Sequence, residues 1–199
     1  MRRTAEDTER TTKLILDAAI EVFSKNSYES VNMQDIADAA GVSRGPLYYR
    51  YKTKAELFYA AYDEDMKRQV AEYRRIFSQN KSIFDLVSED MAYCTSSLKM
   101  DGLSVWHERA TGEIQEKLRE KAAEYEKEVY AIKETAFRRA IENGELKPDT
   151  DVRRLVNLMF IMAEGMFFLI KYKKFDLTEE EIEDNIKLML EIMKSGYGS

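Results

Sequence analysis

Seven side chains within eleven residues, Arg44, Tyr48, Tyr49, Arg50, Tyr51, Lys52 and Lys54, supply four cations and three phenols. Guanidinium, ammonium and phenol groups donate hydrogen bonds to phosphate oxygens, and arginine also addresses base edges. Nothing in this run resembles bond-making machinery. There is no glycine-rich phosphate loop, no histidine spacing for a metal and no Gly-x-Ser-x-Gly elbow in the chain. The chemistry on offer is the binding of a polyanion.

Such groups read a surface only if something rigid aims them. The segment from Asn32 to Lys52 predicts a short helix, a tight turn and a second short helix. Asn32 is an N-cap, its side chain accepting from an otherwise orphan N–H. Met33, Ile36, Ala37 and Ala40 then fall at i, i+3, i+4 and i+7 on one apolar face. Gly41 stands where the first helix must stop, since glycine takes the left-handed conformation freely. Ser43 can cap the second helix. Pro46 falls in its first turn, where a missing N–H costs nothing. Two helices joined by so short a glycine-containing turn form a helix-turn-helix. An ordinary αα-corner shares that geometry, so the residue types must distinguish the two.

They do. Gly41-Val42-Ser43-Arg44-Gly45-Pro46-Leu47-Tyr48-Tyr49, running into Lys52-Thr53-Lys54-Ala55-Glu56-Leu57-Phe58, resembles the DNA-binding domain of the tetracycline-repressor (TetR) family of bacterial transcription regulators. The resemblance is specific from about Leu14 to Phe58. It implies an all-α protein of about nine helices: a three-helix DNA-binding head over 1–53, then an effector-binding and dimerisation domain over 54–199. It implies operator contacts from Asn32, Gln34, Ser43, Arg44, Gly45, Pro46, Tyr48, Tyr49, Lys52 and Lys54, with Tyr48 and Lys54 at typical phosphate-contacting positions. Asn32 and Gln34 stand where the family usually has Thr and Arg. Arg50 replaces a usual aromatic and Tyr51 a usual Phe. Pro46 replaces a side chain able to donate, leaving only apolar contact such as with a thymine methyl. Leu47 is expected in the core.

Composition bounds the rest. The chain has 199 residues, 44% of them hydrophobic, with only eight Gly and two Pro, which favours long helices. The net charge of −6 looks wrong for a DNA binder, but residues 1–55 carry nine Lys/Arg against eight Asp/Glu. The acidic excess therefore lies outside the motif, and local charge is what DNA meets. A single cysteine, Cys94, excludes an internal disulfide and a multi-cysteine metal site. No cofactor or metal is expected. The start is basic without a following apolar core, and the apolar run Leu155–Ile170 falls short of the roughly 20 residues a bilayer needs. A cytoplasmic, membrane-free protein is expected.

Beyond the motif the 3.6-residue period predicts helices over about 8–25, 53–77, 82–99, 113–142, 151–173 and 178–196. Thr53 with Glu56, and Thr178 with Glu181, fit capping boxes. The helix over 151–173 is apolar nearly all round and must be covered on more than one side. The resemblance therefore implies a homodimer through Leu155, Leu158, Met159, Met162, Met166, Ile182, Ile186, Met189, Leu190 and Met193. It also implies a small-molecule effector, with candidate contacts Tyr62, Met66, Cys94, Trp106, His107, Tyr125, Phe160, Glu164, Phe167 and Phe168. The reading competes with a helical protein–protein module, and with a regulator answering to a protein partner.

Overall fold

A computed structural model describes residues 5–99, 106, 109–172 and 177–199. Eight helices are described: α1 (Ala5–Lys25), α2 (Met33–Ala39), α3 (Arg44–Arg50), α4 (Lys54–Phe77), α5 (Ile83–Lys99), α6 (Gly112–Glu142), α7 (Val152–Lys171) and α8 (Glu179–Tyr197). They fall into two compact units. One is Met1–Gln69 with Asp101–Tyr125, the other Val70–Met100 with Glu126–Ser199. The long helices α4 and α6 run through both.

Local chemistry sets the boundaries. Asn32 accepts from the N–H groups of Gln34 and Asp35, and Asp35 reaches back to the Asn32 N–H at 2.7 Å, a reciprocal capping box. Gly41 holds φ +63°, the left-handed value that ends α2. Thr178 and Glu181 close the predicted box at the start of α8. Two expectations need correction. Ser43 sits at the N-cap of α3 with extended backbone but makes no side-chain cap. Thr53 does accept from the Glu56 N–H, yet the Glu56 carboxylate reaches one residue further, to the Lys52 N–H at 2.8 Å. The chain end is held as well: Lys147 N–H donates to the Tyr197 carbonyl at 2.9 Å and Ser199 N–H to that of Glu145 at 3.2 Å.

The first unit packs α1, α2 and α3 around Ile15, Phe23, Ile36 and Leu47. Phe58 and Tyr62 of α4 join this core, and so do Trp106, Ala110 and Leu118 from far along the chain. Phe58 meets Phe23 edge-on at 4.7 Å and Trp106 at 5.1 Å. Trp106 Nε1 donates to Asp65 at 2.8 Å, which settles its polar end. In the second unit α5 packs against α7 and α8.

Candidate nucleic-acid interface

Leu47 anchors α3 from below, with no exposed surface, and so turns the remaining faces of this two-turn helix outward. Tyr49 is 80% exposed, and Ser43, Arg44, Gly45, Tyr48 and Arg50 are also exposed, with Pro46 half-buried among them. Arg44 donates from Nε to the Gln34 side-chain oxygen, and Gln34 Nε2 in turn donates to Asp38. Gln34 thus acts as a strut for Arg44. A guanidinium fixed at one nitrogen keeps its terminal amino groups for a bidentate partner, the geometry guanine offers. A groove of about 560 Å³ runs beside this face, lined by Thr8, Thr11 and Thr12 of α1 and by Ser43, Gly45, Pro46, Tyr49 and Arg50.

The two lysines divide their labour. Lys52 Nζ donates to the Tyr48 and Tyr49 carbonyls at 3.1 and 3.2 Å, stays exposed, and sits 5.6 Å from the Tyr49 ring centroid. It caps the carbonyl end of α3 while its charge still faces solvent. Lys54 differs from what the resemblance implied. Its ammonium donates to the Tyr28 and Val31 carbonyls at 2.7 and 2.9 Å, lies 3.5 Å from that of Glu29, and sits 4.3 Å from the Tyr28 ring. An ammonium has three protons, and here the loop before α2 takes them. Lys54 therefore ties the start of α4 to the loop before α2, and we assign it to holding the motif together. Asn32 is likewise committed, through its oxygen, to capping α2. Lys54→Met is expected to lower the melting temperature while leaving the salt slope of DNA binding unchanged. Loss of one phosphate contact would instead reduce that slope by about 0.9.

The effector candidates are divided between the two units. Tyr62, Met66 and Trp106 are buried in the core of the first unit, so they pack the head. Tyr125 is half-buried on Tyr62, ring centroids 6.3 Å apart. Cys94, Phe160 and Glu164 belong to the second unit, as does Phe168, which is exposed beside Tyr172. Burial pushes the Cys94 thiol up to about 11, which makes it a poor redox nucleophile. Partial desolvation, then Glu126, holds the Glu164 carboxyl above its ordinary range. His107 and the side chain of Phe167 lie outside the described residues.

The interface candidates also need sorting. Leu155, Met159, Ile186, Met189 and Met193 are buried within their own chain, because α7 and α8 turn those stripes onto α5. Met162, Met166, Ile182 and Leu190 are half-buried. The outward stripe on α7 is Leu158, Ile161 and Phe168, continued by Tyr172 at its C-cap, and on α8 it is Leu188 and Ile192. Of these six, the sequence reading assigned only Leu158 to the interface. The missed signal was a second apolar row, Leu158, Ile161, Gly165, Phe168 and Tyr172, spaced by threes and fours along a helix whose other row is core.

Residues 15–61 match the family described as bacterial regulatory proteins, tetR family. The regulator AcrR of Shigella flexneri is 40% identical over 57 residues, 29% of this chain and only 26% of that protein. A fatty acid metabolism regulator protein of Bacillus subtilis is 25% identical over 167 residues, 82% of this chain and 86% of that one. The crystal structure of NalD, the secondary repressor of the MexAB-OprM multidrug efflux pump in Pseudomonas aeruginosa, superposes with a TM-score of 0.63 at 26% identity, covering 97% of this chain and 98% of that one. Residues 15–61 thus carry the DNA-binding domain of the tetR family of bacterial regulatory proteins, and the all-helical fold around them is similar to that of the solved regulator NalD.

Proposed function

We propose that the protein is a homodimeric repressor that leaves a near-palindromic operator when a small, largely apolar effector enters its second unit. The observation that carries the DNA half is the exposed face of α3: Arg44 held by Gln34, with Tyr48 and Tyr49 beside it, all fixed from beneath by Leu47. Arg44 is assigned the base contact, Tyr48 and Lys52 the phosphates, and Pro46 and Tyr49 the apolar and stacking contacts. Ser43 and Gly45 bring the backbone close.

The likeness to NalD supports repression as the sign of regulation. The exposed apolar stripes on α7 and α8 support a two-fold dimer, because soluble chains rarely leave such rows open to water. A dimer presents two copies of α3, so half-sites should repeat at about one turn of DNA. The effector can lower occupancy only by binding the DNA-incompetent conformer better than the competent one. The division of labour runs along the chain, with operator reading within 1–53 and sensing and dimerisation within 54–199. No helix among the described residues is long and apolar enough to cross a membrane, which fits a role at cytoplasmic DNA, and no catalytic activity is assigned.

A gel shift with the DNA upstream of the protein's own gene tests the reading. Arg44→Ala is expected to weaken the specific complex by about 1–3 kcal/mol, 5- to 150-fold, and to relax the preference at one base pair of each half-site. Unchanged affinity and sequence preference would remove Arg44 from the base-reading set. A complete lack of sequence-specific binding would favour a helical protein–protein module instead.

A further inference from the structure

The second unit hides a polar cluster for which DNA reading has no use. Lys133 on α6 is 2% exposed and Asp90 on α5 not at all. Lys133 Nζ donates to Asp90 Oδ2 at 2.7 Å. The other carboxylate oxygen, Oδ1, is equally buried, and no group among the described residues donates to it. Among the described residues the Lys133 ammonium has that one acceptor and otherwise looks onto rings, 5.0 Å from Phe160, 5.1 Å from Tyr73 and 5.8 Å from Phe77. Cys94 stands alongside, its sulfur 3.8 Å from the Tyr73 hydroxyl.

This arrangement is a poor stabilising device. A buried ion pair often does no better than apolar residues of the same volume. A buried acceptor left without a donor costs about 1–3 kcal/mol more. Orphaned groups of this kind call for a partner. Here the half-satisfied acceptor and the half-used donor lie side by side, walled by aromatic faces.

We infer that Asp90 and Lys133 hold the head group of the effector, and that this effector is a neutral lipophile carrying a hydroxyl, an alcohol or a phenol. The inference rests on the second unit being the effector unit. A hydroxyl both donates and accepts, so one group completes both halves: its proton goes to Oδ1 and its oxygen accepts from Nζ. Charge decides against the other head groups. The pair is already neutral as it stands. A carboxylate or an ammonium would leave an uncompensated charge in a dry core, which is far costlier than burying a satisfied hydroxyl. Tyr73 and Phe160 supply apolar surface for the body of the molecule beside that head.

Octan-1-ol, octanoate and octyltrimethylammonium share a chain and differ in the head. Isothermal calorimetry with the full chain and no DNA is expected to show octan-1-ol binding once per chain, at least about tenfold tighter than either ion. The Asp90→Asn/Lys133→Gln double variant, verified by circular dichroism and still able to shift DNA, is expected to lose that preference. In the wild-type protein, intermolecular Overhauser contacts are expected between the C1 protons of octan-1-ol and the Lys133 side chain. An ion that binds as well as the alcohol, an alcohol that does not bind, contacts confined to other residues, or a folded double variant with unaltered selectivity would each overturn the assignment. The gel shift reports on DNA binding independently, so failure of one reading is not mistaken for failure of the other.

Discussion

Lys133→Met is expected to cost about 3–5 kcal/mol of stability at neutral pH, because it strips the counter-ion from a fully buried carboxylate. For a chain of this size that is a fall in melting temperature of roughly 6–20 °C. The loss should depend on pH in a defined direction. In the wild-type protein desolvation already raises the Asp90 carboxyl, and Lys133 is the group that pulls it back down. Without Lys133 the folded-state value rises further above that of the unfolded chain. The folded protein then binds the extra proton, so stability is fully present below the unfolded-state value and is lost as pH rises through the folded one. Thermal melts should therefore bring the variant and wild type together near pH 4 and separate them by pH 7.5. The control is Asp90→Leu/Lys133→Met, which removes both charges and is expected to recover most of the loss. If the single variant melts like wild type at both pH values, Asp90 and Lys133 are not a desolvated pair in solution.

That pair also shows where a sequence stops being legible. Asp90 and Lys133 are 43 positions apart, each on a helix that carries many other charges. Nothing in periodicity tells one lysine on a 31-residue helix from its solvated neighbours, because burial is decided by the helix laid over it. The helix-turn-helix is the opposite case. Its information is local: the Asn32 cap, Gly41 at positive φ, Pro46 in a first turn and Leu47 beneath. Each was readable within a few residues, and the structure bears out all four. Between these extremes lie Trp106, Tyr62 and Met66. Their chemistry suggested a ligand pocket, but an aromatic body with one polar tip suits a core just as well once Asp65 is there to accept from the indole. Lys54 is similar. Its charge and position suggest phosphate, and only the folded loop at Tyr28–Val31 reveals the carbonyls that hold it. Local signals thus located the reading head, while long-range pairing determined which polar groups in and around it remain free to act.

Placing glutamate at both Ile161 and Ile192 is expected to convert a dimer into a monomer of about 23 kDa and to abolish high-affinity operator binding. These are the most exposed large aliphatic side chains on α7 and α8, at 68% and 65%. Neither contributes to its own chain's core, so the folded monomer should tolerate the change, with helicity and melting little altered. A two-fold axis repeats each substitution, so one dimer would bury four new carboxylates. Each isoleucine lost from an interface forfeits about 1.5–3 kcal/mol of apolar burial, before any cost of desolvating the charge. The sum far exceeds the 1.4 kcal/mol that separates each tenfold step in dissociation constant. Light scattering at micromolar concentration reads the mass directly. A monomer binds one half-site at a time and forfeits the effective concentration that tethering gives the second head. Its gel shift should therefore need at least about a hundredfold more protein and show stepwise occupancy. Glutamate at Leu155 and Met193 makes the necessary contrast. Those side chains are core in their own chain, so the same charge there should unfold the second unit instead of separating intact subunits. A dimer that survives the Ile161/Ile192 change intact would mean that the subunits meet through another face.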